Sequence, residues 1–245
     1  MIQVHGLTKL YGPLVAVQDL SFEVAPGEIL GLVGPNGAGK TTTLRSLAGI
    51  ILPTSGSIRI AGADLASEPL RAKAELAFIP DEPQLFDYLT VTEHLQFTLR
   101  LYRRAAEPGL IRRLLDDLEL TGKQDALASE LSRGMKQKLA IACGLVHDPR
   151  VLMLDEPLTG LDPVGIRRMK RTIAARARAG VAVVLSSHLL QLVEELCTRV
   201  LILQAGRRVA LGSVSEIVGD RPELSGRGLE EIFLSLTGHE DETVP

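Results

Sequence analysis

The stretch Gly34-Pro35-Asn36-Gly37-Ala38-Gly39-Lys40-Thr41 constrains this chain more than any other, because of what surrounds it. It follows a short, almost continuously apolar run, Ile29-Leu30-Gly31-Leu32-Val33, and it opens a segment of helical character. The spacing G-x-x-x-x-G-K-[ST] between a buried strand and a helix describes a phosphate-binding loop. Its glycines let the backbone wrap closely, so that N–H groups and the helix N-terminus face phosphate oxygens. Lys40 supplies a cation for the terminal phosphates, and the Thr41 hydroxyl is placed to ligate Mg²⁺. A glycine-rich turn that bound nothing would need neither side chain. The preceding run reads as a strand buried on both faces, as in a parallel sheet covered by helices.

A second apolar run, Val151-Leu152-Met153-Leu154, ends in Asp155-Glu156. A strand interior excludes bare carboxylates, so both acids must emerge at the strand's carboxyl edge, where α/β sheets bind ligands. There Asp155 would hold Mg²⁺, directly or through water. Glu156, pointing the other way, would polarise a water in line with a γ-phosphate. An apolar run closed by an aspartate is often only a strand end; paired with a phosphate loop it becomes a strong signal.

Strands and helices alternate around these two runs. Val181–Leu185 reads as a further buried strand, with a helix from about Leu189, and Asp162-Pro163 supplies a helix with its N-cap and first-turn proline. Val200–Leu203 and Arg208–Leu211, with Ala205-Gly206 between them, read as a hairpin. Nearer the N-terminus, Ser21-Phe22-Glu23-Val24 and Ser57-Ile58-Arg59-Ile60 alternate polar and apolar residues, with Pro26-Gly27 and Gly62 as turns. Residues 90–147 are helical instead. Thr90-Val91-Thr92-Glu93 has the form of a capping box before Leu95, Leu99 and Tyr102. A second helix runs through Leu110, Leu114, Leu115 and Leu118, and a third begins at Ser132. The alternation implies an α/β domain with a mainly parallel sheet.

Composition removes several classes. With 245 residues, 45% of them hydrophobic, the chain can bury a sizeable core and is not of a disordered type. Aromatics are only 3% and Trp is absent, so that core is aliphatic. A formal charge of −3 gives no overall pull toward nucleic acid or anionic lipid. Arg100, Arg103, Arg104, Arg112 and Arg113 have only Tyr102 interleaved, and Asp116, Asp117 and Glu119 follow, which is the pattern of a solvated helix face. No stretch approaches the roughly 20 apolar residues of a membrane span. No basic-then-apolar leader opens the chain, so a role at a membrane would run through a partner. Cys143 and Cys197 lie in apolar helical patterns without metal-ligand spacing and read as small core residues, in keeping with a reducing cytosol.

Leu131-Ser132-Arg133-Gly134-Met135-Lys136-Gln137 resembles the LSGGQ signature of ATP-binding cassette (ABC) ATPases. Leu158-Thr159-Gly160-Leu161-Asp162 is similar to that family's D-loop, and Ser186-Ser187-His188 follows a strand as its switch histidine does. Tyr11, in Leu10-Tyr11-Gly12, sits where the family stacks an aromatic on adenine. The elements keep family order from about residue 2 to 212. The resemblance implies a P-loop NTPase core with a mainly parallel sheet, an N-terminal antiparallel β subdomain and an inserted α-helical subdomain. One ATPase domain would cover 1–238, with the helical part at about 85–147, and 239–245 would form a loose tail.

The same resemblance implies ATP and Mg²⁺ as ligands. Gly34, Pro35, Asn36, Gly37, Ala38, Gly39, Lys40, Thr41 and Thr42 would bind phosphates and Mg²⁺, with Asp155 on the metal and Tyr11 on the base. Glu156 becomes the general base, and His188 a contact to the γ-phosphate and attacking water. Ser132 and Gly134 would hold the γ-phosphate of the opposite subunit, making the active unit a head-to-tail dimer of like or unlike cassettes. Apart from the family, Tyr11 reads equally as a core aromatic, Ser132 as an N-cap and His188 as structural. His5, His94, His147 and His239 are taken as structural or solvated.

Two departures stand out. Arg133 replaces the first signature glycine, and Met135 the usual glutamine. In Phe78-Ile79-Pro80-Asp81 the family places a glutamine that touches Mg²⁺; here Asp81 offers a charged oxygen on a shorter arm, with Gln84 as the alternative. Asp81 is expected to reach the metal through a bridging water. The function implied is that of an ATP-binding and ATP-hydrolysing transporter subunit, cytoplasmic and held at the inner face of the membrane by a separate integral permease, with no nucleic-acid partner. The signature and the segment Gly228–Gly238 resemble ATPases that pair with exporter-type (ABC-2 class) permeases, whose docking surface would lie around Asp81–Leu99. An importer subunit stays open. Translation or repair ABC proteins carry a second cassette or a coiled coil, neither of which this sequence shows, and P-loop kinases and RecA-like motors do not predict the Ser132–Gly134 signature.

Overall fold

A computed structural model of the chain describes residues 1–107, 109–219, 224 and 226–238. The tail predicted over 239–245, with His239, lies outside the described residues. Strands β1 (Ile2–Tyr11) and β2 (Leu14–Val24) form a hairpin across Gly12-Pro13. The pairing slips between Val4 and Leu7, around Gly6 at φ +59°, so an extra residue in β1 makes a bulge. Inward positions therefore shift from Ile2 and Val4 to Leu7, all fully buried.

The chain continues through β3 (Ile29–Val33), α1 (Lys40–Leu47), β4 (Ser55–Ile60), β5 (Ala63–Asp64), α2 (Pro69–Ala74) and β6 (Leu76–Ile79). Then come α3 (Val91–Leu101), α4 (Leu110–Asp117), α5 (Arg133–Val146), β7 (Val151–Asp155), α6 (Pro163–Arg178), β8 (Ala182–Ser186) and α7 (Leu190–Leu196). Strands β9 (Arg199–Gln204) and β10 (Arg207–Gly212) and helices α8 (Val214–Gly219) and α9 (Leu229–Thr237) follow. One sheet is antiparallel with strand order β2-β1-β4-β5. The other has the order β10-β9-β3-β8-β7-β6 and is parallel except for the β9–β10 hairpin, which turns at Ala205-Gly206.

The continuous apolar runs are explained by what covers the parallel sheet. Leu30, Leu32, Met153, Val184 and Leu201 point to a core shared with α1 and the antiparallel sheet. Their neighbours Ile29, Val33, Leu152, Leu154, Val183 and Leu185 point to a second core built with α3, α5, α6 and α7. Period-two geometry thus fills both faces of each strand. Each fully buried aliphatic side chain contributes roughly 1.5–3 kcal/mol, so these layers dominate the stability. Buried polar groups break the pattern at one place in particular: Asp155, Ser186 and Ser187 gather at the carboxyl ends of β7 and β8.

Caps lie where the sequence puts them. Thr90 and Glu93 form the reciprocal capping box of α3, and Asp162 accepts the Gly165 N–H at the start of α6. His94 and His147 are buried in the helical region, with His147 stacked on Tyr102 at 3.7 Å. Burial pushes both the Cys143 and the Cys197 thiols up to about 12, as expected of cysteines used as packing atoms. Among the described residues, no helix is long and apolar enough to cross a membrane.

Candidate active site

Strand β3 ends at Val33, and the chain turns through Gly34–Gly39 into α1. Gly39 caps that helix at φ +101°, and a Cβ there would lie 2.5 Å from the Ala16 carbonyl oxygen. Only glycine satisfies both conditions, so the loop lies tight against β2. The loop is tied internally by Ala38 N–H donating to Pro35 O at 3.1 Å, and to the β9–β10 turn by Gly206 N–H donating to Ala38 O at 3.1 Å. Lys40 Nζ spans it, donating to Gly34 O at 2.6 Å and Pro35 O at 3.1 Å. Burial lowers the Lys40 pKa, and the carboxylates of Glu156 and Asp155 oppose that shift. The ammonium therefore lies within electrostatic reach of both acids.

These residues meet around a cleft of about 390 Å³ lined by Tyr11, Leu14, Val15, Ala16, Asn36 to Thr42, Asp155 and Glu156. Tyr11 is no core residue. It is 46% exposed at the end of β1, with Lys9 Nζ 5.0 Å from its ring centroid, so the aromatic stands open at one side of the cleft.

Strand β7 delivers the acids. Asp155 is buried, and its Oδ1 accepts from Ser186 Oγ at 2.6 Å. Glu156 leaves the strand at φ +49°, a left-handed backbone uncommon without glycine. Its Oε2 lies 2.8 Å from His188 Nδ1 and accepts the His188 N–H at 3.3 Å. Its own N–H donates to Ser186 Oγ at 3.1 Å. The sequence names Ser186 only as part of the run before His188. The signal that singles it out is register, since Asp155 pairs directly with Ser186 across β7 and β8.

Asp81 follows Ile79-Pro80 at the end of β6, whose Ile79 pairs with Leu154 of β7. It thus emerges on the same sheet edge as Asp155 and Glu156, and its Oδ1 is buried without a hydrogen-bond partner. Gln84 is exposed, its amide nitrogen 3.4 Å from Glu82 O. An orphaned carboxylate oxygen, a second carboxylate with one oxygen fixed by a serine, and the Thr41 hydroxyl on the first turn of α1 are hard oxygen donors that suit Mg²⁺. Among the described residues no three His, Cys, Asp or Glu side chains converge on a metal position. Such a partial set fits a cation that keeps water and shares phosphate oxygens.

Ser132 and Gly134 do not line this cleft. Ser132 caps α5, its Oγ accepting the Met135 N–H at 3.3 Å, and it is exposed. A Cβ on Gly134 would lie 2.8 Å from Gly160 O, so the start of α5 packs directly on the Leu158–Asp162 turn. The Arg133 stem covers the other side of Gly160, with Cδ 3.4 Å from where a Cβ would sit.

This arrangement has close counterparts. The ABC transporter family profile matches residues 17–159. The chain is 39% identical over 219 residues to the Nod factor export ATP-binding protein I of Paraburkholderia xenovorans (strain LB400), covering 89% of this chain and 72% of that protein. It is 36% identical over 221 residues to the uncharacterized ABC transporter ATP-binding protein YhcH of Bacillus subtilis (strain 168), covering 88% and 71%. Among solved structures, an ATP-binding subunit of an ABC transporter superposes with a TM-score of 0.90 at 32% identity, over 96% of this chain and 99% of that one. A dimeric bacterial ABC transporter cassette shares the fold at a TM-score of 0.80 and 23% identity, over 87% and 99%. With the phosphate loop, acid pair, signature segment and histidine in family order on that fold, the chain belongs to the ABC transporter family as one of its ATP-binding ATPase subunits.

Proposed function

We propose that this subunit binds Mg-ATP in the cleft between Tyr11 and Glu156, hydrolyses it, and drives export through a separate membrane permease. The observation that carries the proposal is the convergence of Lys40, Asp155 and the Glu156–His188 pair on one phosphate loop. Residues Gly34 to Thr42 wrap the phosphates with backbone N–H groups, Lys40 adds a cation and Tyr11 stacks on the base. Thr41 and Asp155, with Asp81 through a bridging water, would hold the metal, which would neutralise charge on the phosphate oxygens. Glu156 takes the proton from an attacking water, and His188, in contact with Glu156, keeps that carboxylate aimed. Lys40→Ala weakens nucleotide binding on this reading. Glu156→Gln leaves binding intact and slows hydrolysis by roughly 10²–10⁴-fold. Fluorescent-nucleotide titration with phosphate release separates the two, and near-normal turnover in Glu156→Gln would sink the assignment of the base.

Ser132 and Gly134 stand apart from the cleft of their own chain, which favours their use by a second copy. Head-to-tail pairing then closes each ATP between one phosphate loop and the partner's signature helix, where helix N-termini attract the γ-phosphate. For the permease, a groove of about 280 Å³ runs between β6 and α3, lined in part by Phe78, Pro83, Leu85, Phe97 and Tyr102, beside exposed Phe86 and Tyr88. Its apolar lining suits a partner's helical loop. Docking there holds the subunit at the cytoplasmic face of the membrane. The export direction rests on relatives that are named for export. Co-purification with the permease, lost on replacing Tyr88 and Phe97 by polar residues, tests the groove.

A further inference from the structure

Resting on the reading of Asp155 and Glu156 given above, we propose that Ser186 is a positioning residue for both acids at once. Its hydroxyl is fully buried and has one proton and two lone pairs to place. The proton goes to Asp155 Oδ1 at 2.6 Å, and a lone pair accepts the Glu156 N–H at 3.1 Å. These two bonds do separate work. The first fixes the rotation of the Asp155 carboxylate, so that one oxygen is committed to the protein and only the other serves a cation or its water. The second holds the amide of a residue at φ +49°, just where the backbone leaves the strand to aim Glu156 Oε2 at His188. Asp155 and Ser186 are in-register partners on adjacent parallel strands, so the hydroxyl is carried by two of the most deeply buried elements of the core. Without it, a carboxylate oxygen and an amide N–H lose the partner that the buried Ser186 supplies, a loss felt strongly when one group is charged.

The test compares Ser186→Thr with Ser186→Val, two side chains of one shape that differ in the hydroxyl, both suited to a strand. Two quantities are read on the full chain: the kcat and KM for ATP, and the Mg²⁺ concentration at which a fluorescent ATP analogue reaches half its full affinity gain. The second is measured in the Glu156→Gln background, where turnover does not interfere. Ser186→Thr is expected to keep kcat within about threefold and to leave the Mg²⁺ midpoint unchanged. Ser186→Val is expected to lower kcat roughly 10- to 100-fold with little change in KM, and to raise the Mg²⁺ midpoint about tenfold. Wild-type behaviour of both in both measurements overturns the proposal. If the added methyl group disables Ser186→Thr, Ser186→Ala decides: wild-type values there overturn the proposal, and the Ser186→Val losses sustain it. Failure of the underlying reading looks different, because Glu156→Gln alone would then turn over normally.

Discussion

Glu156 adopts its φ of +49° without glycine's freedom, a conformation that costs about 1–3 kcal/mol and that the Ser186 and His188 contacts offset. Asp81 is also held at a cost, because a buried carboxylate oxygen lacks a partner. Its negative charge favours a divalent cation and repels bare ATP, so nucleotide affinity is expected to depend steeply on Mg²⁺. Asp81→Gln lessens that dependence and retains hydrolysis, whereas Gln84→Ala changes neither; titration of affinity against Mg²⁺ checks both. A large effect of Gln84→Ala with none from Asp81→Gln would transfer the role to Gln84. The two cysteines give a simpler check. With both thiols raised to about 12, neither Cys143 nor Cys197 presents appreciable thiolate at neutral pH, and labelling by a thiol reagent is expected to be slower in the folded chain than in the unfolded one.

Among the elements, the capping box of α3 is a local source of stability, and Thr90→Ala is expected to lower the unfolding free energy by about 1 kcal/mol in denaturant titrations. At the other side of that helical region, His147 is stacked on Tyr102, with Nε2 3.3 Å from Leu76 O, and burial lowers its pKa below the ordinary value. As pH falls through about 6.5 the unfolded chain takes up this proton before the folded one does, so stability drops. The melting temperature should therefore decline from pH 7 to pH 5, and His147→Phe should flatten part of that slope. Much of the element pattern is legible in the sequence. The runs of β3, β7 and β8, the α3 and α6 caps and the β9–β10 hairpin stand where periodicity and turn residues put them. Strand β1 is not legible, because its bulge at Gly6 breaks the alternation, and neither is β6, whose four residues end at a proline. Of the cleft lining, Tyr11, Asn36 to Thr42, Asp155 and Glu156 can be named from motifs. The double use of Ser186 and the packing of Arg133 on Gly160 cannot, since both depend on which strands and turns become neighbours.

At the scale of the molecule, Ser132 and Gly134 lie outside the cleft that the phosphate loop lines, and on the reading proposed above a second copy's signature helix closes each site. In the Glu156→Gln protein, Mg-ATP is expected to convert monomer to dimer, and ADP to release it. Sedimentation at saturating nucleotide measures this, and a monomer in the complex with permease would count against the head-to-tail arrangement. Gly134→Ala should impair the dimer as well, since its Cβ would press on Gly160 O at 2.8 Å.

The position of β3 has a consequence for biosynthesis. The strand that launches the phosphate loop is synthesised early, yet it is flanked by β8 and β9, and Ile29 N–H donates to Thr198 Oγ1 from 169 residues away. During translation the loop therefore emerges before its flanking strands, and its supports arrive only once β8 and β9 have left the ribosome. Contacts of such long sequence separation form slowly. Nascent chains halted before Arg199 should retain no ATP, so occupancy of the nucleotide cleft can itself report that synthesis has passed β9.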